Sequence, residues 1–193
     1  MGYEKIIKEL ESYVETELTE KRRRHTLGVR DTAVELCKKF FADPEKAEVA
    51  ALAHDMYRGL RGEDLKRTVR ELGLDPRYEE DPNLAHGKIA ALKLKSDHGI
   101  TDPDILNAVS FHTTGRAGMS TLEKVVYLAD CIEPNRDYPG VDDIRHAVDI
   151  GLDEACLTAM RGTIRHVKEQ GAYLDEDTSK AADFLEKHLK ETK

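Results

Sequence analysis

The chain has 193 residues and a formal net charge of −8; 35% of it is charged, 39% is hydrophobic, and it has no tryptophan. A chain of that length suits one domain and buries roughly 70% of its unfolded surface, so it needs no disulfide or structural metal to fold. The acidic balance excludes a general nucleic-acid binder, whose footprint is basic, but leaves room for a local cationic cluster around a small phosphorylated ligand.

Apolar residues recur at helical spacing from one end to the other. Ile6, Leu10, Tyr13, Val14 and Leu18 predict a helix over roughly 3–19. The next runs from about 22 to 41, with Val29, Ala33, Leu36, Cys37 and Phe40 on one face. Asp43-Pro44 reads as an N-cap with proline at the first position, and opens an Ala-rich helix ending near His54-Asp55. Leu65, Val69 and Leu72 form a short helix closed by Gly73. The stretch 74–83, with two prolines and several acids, reads as a loop. Helices follow over 84–98, stopped by Gly99, and from Asp102-Pro103 to about His112. Ser120 and Glu123 form a capping box for a helix that runs to Glu133 and stops at Pro134. One long helix is expected over about 142–170, ended by Gly171, and a last one capped by Thr178 or Ser179. No segment alternates with period two. The fold class is all-α: a single domain over 1–193, with a core of about 20–150, an N-terminal helix at 3–19 and C-terminal helices at about 142–190 packed on the core. The first helix could pack on its own chain or on a second copy.

Cys37, Cys131 and Cys156 form no CxxC pair and read as buried reduced thiols of a cytoplasmic protein. The N-terminus is amphipathic, without the apolar core of a signal peptide, and no apolar run is long enough to span a bilayer.

Six residues able to bind metal share the apolar stripes of five helices. His25 precedes Val29 by four. His54 and Asp55 end the Ala-rich helix. His86 precedes Ile89 and Ala90, His112 follows Val109 by three, and Asp130 follows Val126 by four. Residues three or four apart share a helix face. Any one of these histidines alone reads as a core imidazole bonded to a backbone carbonyl, and Asp130 alone as an ion-pair partner. Together they are poorly explained that way, because burying an unpaired imidazole or carboxylate costs on the order of several kcal/mol. A metal centre compensates directly. His98 complements a helix C-terminus, and His146, His166 and His188 read as solvent-facing.

The order His25, His54-Asp55, His86, His112, Asp130 resembles the HD-domain metal-dependent phosphohydrolases. Arg22-x-x-His25-Thr26-Leu27-Gly28-Val29, His86-Gly87, His112-Thr113-Thr114-Gly115-Arg116 and Ile132-Glu133-Pro134-Asn135-Arg136 resemble its YqeK-type branch, the bacterial symmetrical dinucleoside tetraphosphate hydrolases. The likeness runs from about Arg22 to Asp149. It implies an HD-type helical bundle with two di- or trivalent metal ions between helices, iron foremost, with manganese or another first-row metal as alternatives. One ion would be held by His25, His54, Asp55 and Asp130, and the second by a bridging Asp55 with His86 and His112. It implies cleavage of diadenosine tetraphosphate to two ADP by a metal-activated hydroxide, with Asp55 and Arg58 as catalytic residues. Substrate contacts would fall to Arg58, His86, Thr113, Thr114, Arg116, Glu133 and Arg136. Arg58 stands where the family often has lysine; the charge is kept, as a planar fork suited to phosphate. The basic run Lys21–Arg24 reads as a solvated face whose Arg22 or Arg24 could line the pocket mouth. The expected partner is a dinucleoside polyphosphate or nucleotide, with no membrane and no broad nucleic-acid surface, and with a homodimer left open. Two other readings stand beside this one: another HD-type nucleotidase, dNTP hydrolase or phosphodiesterase, and a nucleotide-binding sensor without turnover.

Overall fold

In the computed structural model, which describes residues 2–192, the chain forms ten helices and, among the described residues, no strand. In chain order they are α1 (Glu4–Glu17), α2 (Glu20–Phe40), α3 (Pro44–Ala53), α4 (Gly62–Glu71), α5 (Pro82–His98), α6 (Pro103–Phe111), α7 (Thr121–Ile132), α8 (Val141–Ile150), α9 (Leu152–Glu169) and α10 (Glu176–Glu191). One start signal opens three of the α-helices. Asp43, Asp81 and Asp102 each cap a helix whose first residue is proline, their carboxylates accepting from the free backbone N–H groups of the first turn. Ser120 and Glu123 complete the expected capping box of α7.

The Ala-rich α3 is the centre of the bundle. Ala47, Val49, Ala50, Ala51, Leu52 and Ala53 are all buried, so the second half of this helix is apolar all round, as a core segment must be, while Glu45, Lys46 and Glu48 in its first half reach the surface. Its small side chains let α2, α6 and α7 approach, and α1 packs over it through Leu10 and Val14. The first helix therefore packs on its own chain, where the Tyr13 hydroxyl also donates to the Met56 carbonyl at 3.0 Å and ties down the turn after Asp55.

Two elements differ from the sequence expectation. The long helix expected over 142–170 is two helices, α8 and α9, which break at Gly151, where the backbone is extended, and pack against each other. Periodicity reads through such a break because the apolar stripe continues on both sides. The last helix is capped by Asp175, whose side chain accepts from the Asp177 N–H at 2.9 Å, and Thr178 lies buried inside it. The 74–83 stretch holds a short 3₁₀ turn at Pro76–Tyr78 that buries Tyr78. Cys37 and Cys156 are buried free thiols, whereas Cys131 is only partly buried. No helix among the described residues is long and apolar enough to cross a membrane.

Candidate metal centre

The bundle brings all six inward residues to one place. His25 comes from the first half of α2, His86 from the first turns of α5, and Asp130 from the last turn of α7. His54 and His112 are the C-caps of α3 and α6. Helix C-termini carry partial negative charge, so the ends of α3, α6 and α7 favour a cation where they meet. His54, Asp55, His86 and His112 are buried, while His25 and Asp130 are partly so.

Each imidazole is held from behind. The Nδ1 of His54 lies 2.6 Å from the Ala51 carbonyl, that of His112 2.7 Å from the Val109 carbonyl, and that of His86 3.1 Å from the Pro82 carbonyl. A carbonyl can only accept, so in all three rings Nδ1 carries the proton and Nε2 presents a lone pair. His25 is held by a carboxylate instead, with Nδ1 3.1 Å from Glu133 Oε1. Glu133 is itself fixed, its Oε2 accepting from the backbone and side-chain N–H groups of Asn135 at 2.7 and 2.8 Å.

The Nε2 atoms then converge. They lie 3.3 Å apart in the His25–His54 pair and 2.9 Å apart in the His86–His112 pair. Asp55 stands between the pairs. Its Oδ2 faces His54 at 3.8 Å and His25 at 3.9 Å, and its Oδ1 faces His86 at 3.1 Å. Asp130 Oδ1 lies 3.1 Å from His25 Nε2. Donor atoms of His25, His54 and Asp130, and again of His54, Asp55 and His112, fall within 4.8 Å of one another. Lone pair faces lone pair in the His86–His112 pair, and carboxylate oxygen faces lone pair at His86. Those contacts repel unless a cation lies among them, so the donor set fits a metal.

The electrostatics agree. Burial, reinforced by the His86 and His54 rings, pushes His112 down to about 3, and burial likewise lowers His54, so both stay neutral at ordinary pH, as a metal-binding imidazole must be. Burial opposes ionisation of Asp55 and Asp130. His25 and Arg136 beside Asp130 outweigh it there and hold that carboxyl below the usual carboxylate range, and Asp55 is lowered as well. His25 behaves in the opposite way to His54 and His112. Burial lowers it, but Asp130 and Glu133 on either side raise it overall.

The expected phosphate-contacting residues divide. Arg58 lies at the centre, 3.7 Å from Asp55 Oδ1 and 3.1 Å from His86 Nε2. Thr113 places its hydroxyl 3.1 Å from His112 Nε2. Arg136 donates to the Asp130 carbonyl at 2.7 Å and to its carboxylate. Arg116 instead forms a two-pronged pair with the buried Glu123, both contacts 2.6 Å, and the buried Thr114 donates to the Gly115 carbonyl at 2.9 Å. Glu133 stands behind His25. Of the basic run, Arg22 reaches the centre, 3.1 Å from Asp55 Oδ2, while Arg23 and Arg24 pair with Glu15 and Glu20 on the surface.

Two glycines that periodicity ignores shape the site. A Cβ on Gly87 would lie 2.8 Å from the Val109 carbonyl and 3.0 Å from the His112 ring, so α5 can bring His86 to His112 only without one. A Cβ on Gly28 would meet Glu133 Oε2 at 2.7 Å. The available signal was position: each glycine follows a candidate ligand by one or three residues. A further cation, Lys88, sits over the Phe111 ring at 3.2 Å and is pulled down to about 8, chiefly by burial.

An all-helical bundle whose helix ends converge on imidazoles and an Asp defines the HD class, and the HD domain family matches residues 22–135 of the chain, which belongs to that family. The chain is 39% identical to the symmetrical bis(5′-nucleosyl)-tetraphosphatase of Bacillus subtilis, over 86% of this chain and 89% of that protein. It is 39% identical to the protein of the same name from Halalkalibacterium halodurans, over 84% and 88%. Its fold is similar to a crystal structure from Clostridium acetobutylicum, described as a predicted HD superfamily hydrolase involved in NAD metabolism. That likeness has a TM-score of 0.87 and 40% identity and covers 94% of this chain and 97% of the other.

Proposed function

We propose that the chain is a metal-dependent hydrolase that cleaves diadenosine tetraphosphate symmetrically: one water is consumed, the bond between the second and third phosphates breaks, and two ADP leave. The observation that carries the metal-dependent chemistry is Asp55, set between two imidazole pairs with one oxygen turned to each. The choice of substrate rests on the two relatives named above.

His25, His54, Asp130 and one oxygen of Asp55 would hold one ion, and His86, His112 and the other oxygen a second. Imidazole and carboxylate ligands without thiolate suit iron first, with manganese or another first-row ion as alternatives. Bound ions would supply Lewis acidity and lower the pKa of a water. The protein's own residues do the rest. The backbone carbonyls behind His54, His86 and His112 keep the rings aimed inward. Arg58 and Arg22, both about one-third exposed and both beside Asp55, would bind the phosphate oxygens, with Arg58, which reaches both Asp55 and His86, as the catalytic cation. The Thr113 hydroxyl would donate to the same chain of oxygens. The pairing of Arg116 with Glu123 supports a role in setting the turn after His112 as much as a phosphate contact. Three free thiols fit the reducing interior of a cell.

The test is chromatography of the products formed from diadenosine tetraphosphate by metal-loaded enzyme. ADP alone is expected; ATP with AMP contradicts symmetrical cleavage. A higher kcat/KM on a mononucleotide favours another HD phosphohydrolase, and binding without turnover favours a sensor.

A further inference from the structure

Phe41 is a residue the fold itself does not use. It ends α2 with φ +58°, in the left-handed region, and no other non-glycine residue among those described has a positive φ. Glycine is the usual residue at such a cap because it has no Cβ to strain. Phe41 is also 94% exposed, so strain and an uncovered aromatic ring fall on the same residue. Ile150, at the end of α8, is 75% exposed. Lys39 and Asp149, paired at 2.7 Å, join the ends of α2 and α8 and put both apolar tips on one side of the molecule. On that side lies a groove of about 500 Å³, with Leu36, Ile132 and Pro134 in its lining and the charged Glu35, Lys39 and Arg145 beside them.

We propose that this face binds a second copy of the chain across a two-fold axis. An isologous contact needs projection and recess on the same patch, because each copy supplies both. Here the projection is Phe41 and the recess begins at Thr32, nine residues and about 13 Å back along the same helix. Two α2 helices packed antiparallel about a point near Cys37 bring Phe41 of one copy over the Thr32 end of the other's groove. The same register sets Glu35 opposite Lys39 of the second copy in both directions, so the charges beside the groove complement themselves. A foreign partner would require neither coincidence. The contact would also brace the metal centre from behind. Arg145 in the groove holds the carbonyls of Ile132, Glu133 and Arg136 at 3.0–3.3 Å, and Glu133 is the residue behind His25. Phe41 and the groove supply no ligand, so the inference does not depend on the reaction assigned above.

Sedimentation equilibrium of the full chain over a wide concentration range tests it. The wild-type chain is expected to associate to a dimer. Phe41→Gly should weaken association by about tenfold or more, as loss of a buried aromatic ring implies. The same variant, relieved of the left-handed phenylalanine, should melt higher when measured dilute, which shows that it folds. Glu35→Lys should also weaken the dimer, and Glu35→Lys with Lys39→Glu in one chain, made together with Asp149→Lys so that residue 39 keeps a partner of opposite charge, should restore it. A wild-type chain that stays monomeric throughout, a Phe41→Gly chain that associates unchanged, or a charge swap that restores nothing overturns the proposal.

Discussion

The two sides of Asp55 are built differently. On one side, His86 and His112 are buried, each is fixed by a carbonyl of its own helix, and their approach depends on the missing side chain of Gly87. On the other, His25 is partly exposed and leans on the Glu133 carboxylate, with Asp130, Arg136 and Arg22 close by. The first half is set by backbone geometry throughout; in the second only His54 is, through the Ala51 carbonyl, while His25 and Asp130 are set by charge. Geometry should fail through packing and charge through protonation, so different perturbations should disable the two halves.

The largest effect should come from Asp55, which both halves share. Asp55→Asn keeps the shape and removes the charge; turnover should fall to background and metal content, read by elemental analysis, should drop on both sides. A variant that keeps two ions would dissolve the link between the halves. Gly87→Ala should come next. Its Cβ meets the Val109 carbonyl and His112, and overpacking of this kind costs about 1–3 kcal/mol. The melting temperature should fall and the His86–His112 half should lose its ion while the His25 half keeps its own. Glu133→Gln should do the reverse. The fold should persist, with metal affinity at the His25 half reduced about 10–100-fold, as is usual when the partner behind a ligating imidazole is lost.

The smallest effect is a difference in pH response. His25 has a raised pKa, so in the metal-free protein it contributes stability that is full below about 6.5, its unfolded value, and lost as pH rises through its folded one. His112, lowered to about 3, contributes stability that is full above about 6.5 and lost as pH falls toward 3. Below the raised pKa of His25, metal must displace a proton from that ring but none from His112. Titration calorimetry in buffers of different ionisation enthalpy should therefore find proton release, and an affinity rising with pH, at the His25 half, with no proton from His112 at the other.

Periodicity was enough to predict the helices and the inward face of each ligand, because both follow from spacing along a single helix. It missed what depends on two helices meeting. The break at Gly151 escapes it, since the apolar stripe of α8 continues into α9. The need for Gly87 and Gly28 escapes it too, since only the facing helix makes them necessary. The competing readings of the histidines turned out to be one. His54, His86 and His112 each hold a backbone carbonyl, as core histidines do, and that bond is what leaves Nε2 free to bind a metal. Arg116 shows what a motif does not convey: the HTTGR string places it near the site, and only the folded chain brings it to Glu123, the carboxylate that also completes the capping box of α7.

The shared role of Asp55 is tested most directly by anomalous scattering from crystals of metal-loaded protein. Two peaks are expected, one among His25, His54 and Asp130 and the other between His86 and His112, each within reach of a different oxygen of Asp55. A single peak in a fully active enzyme, or peaks that leave Asp55 uncoordinated, would contradict it.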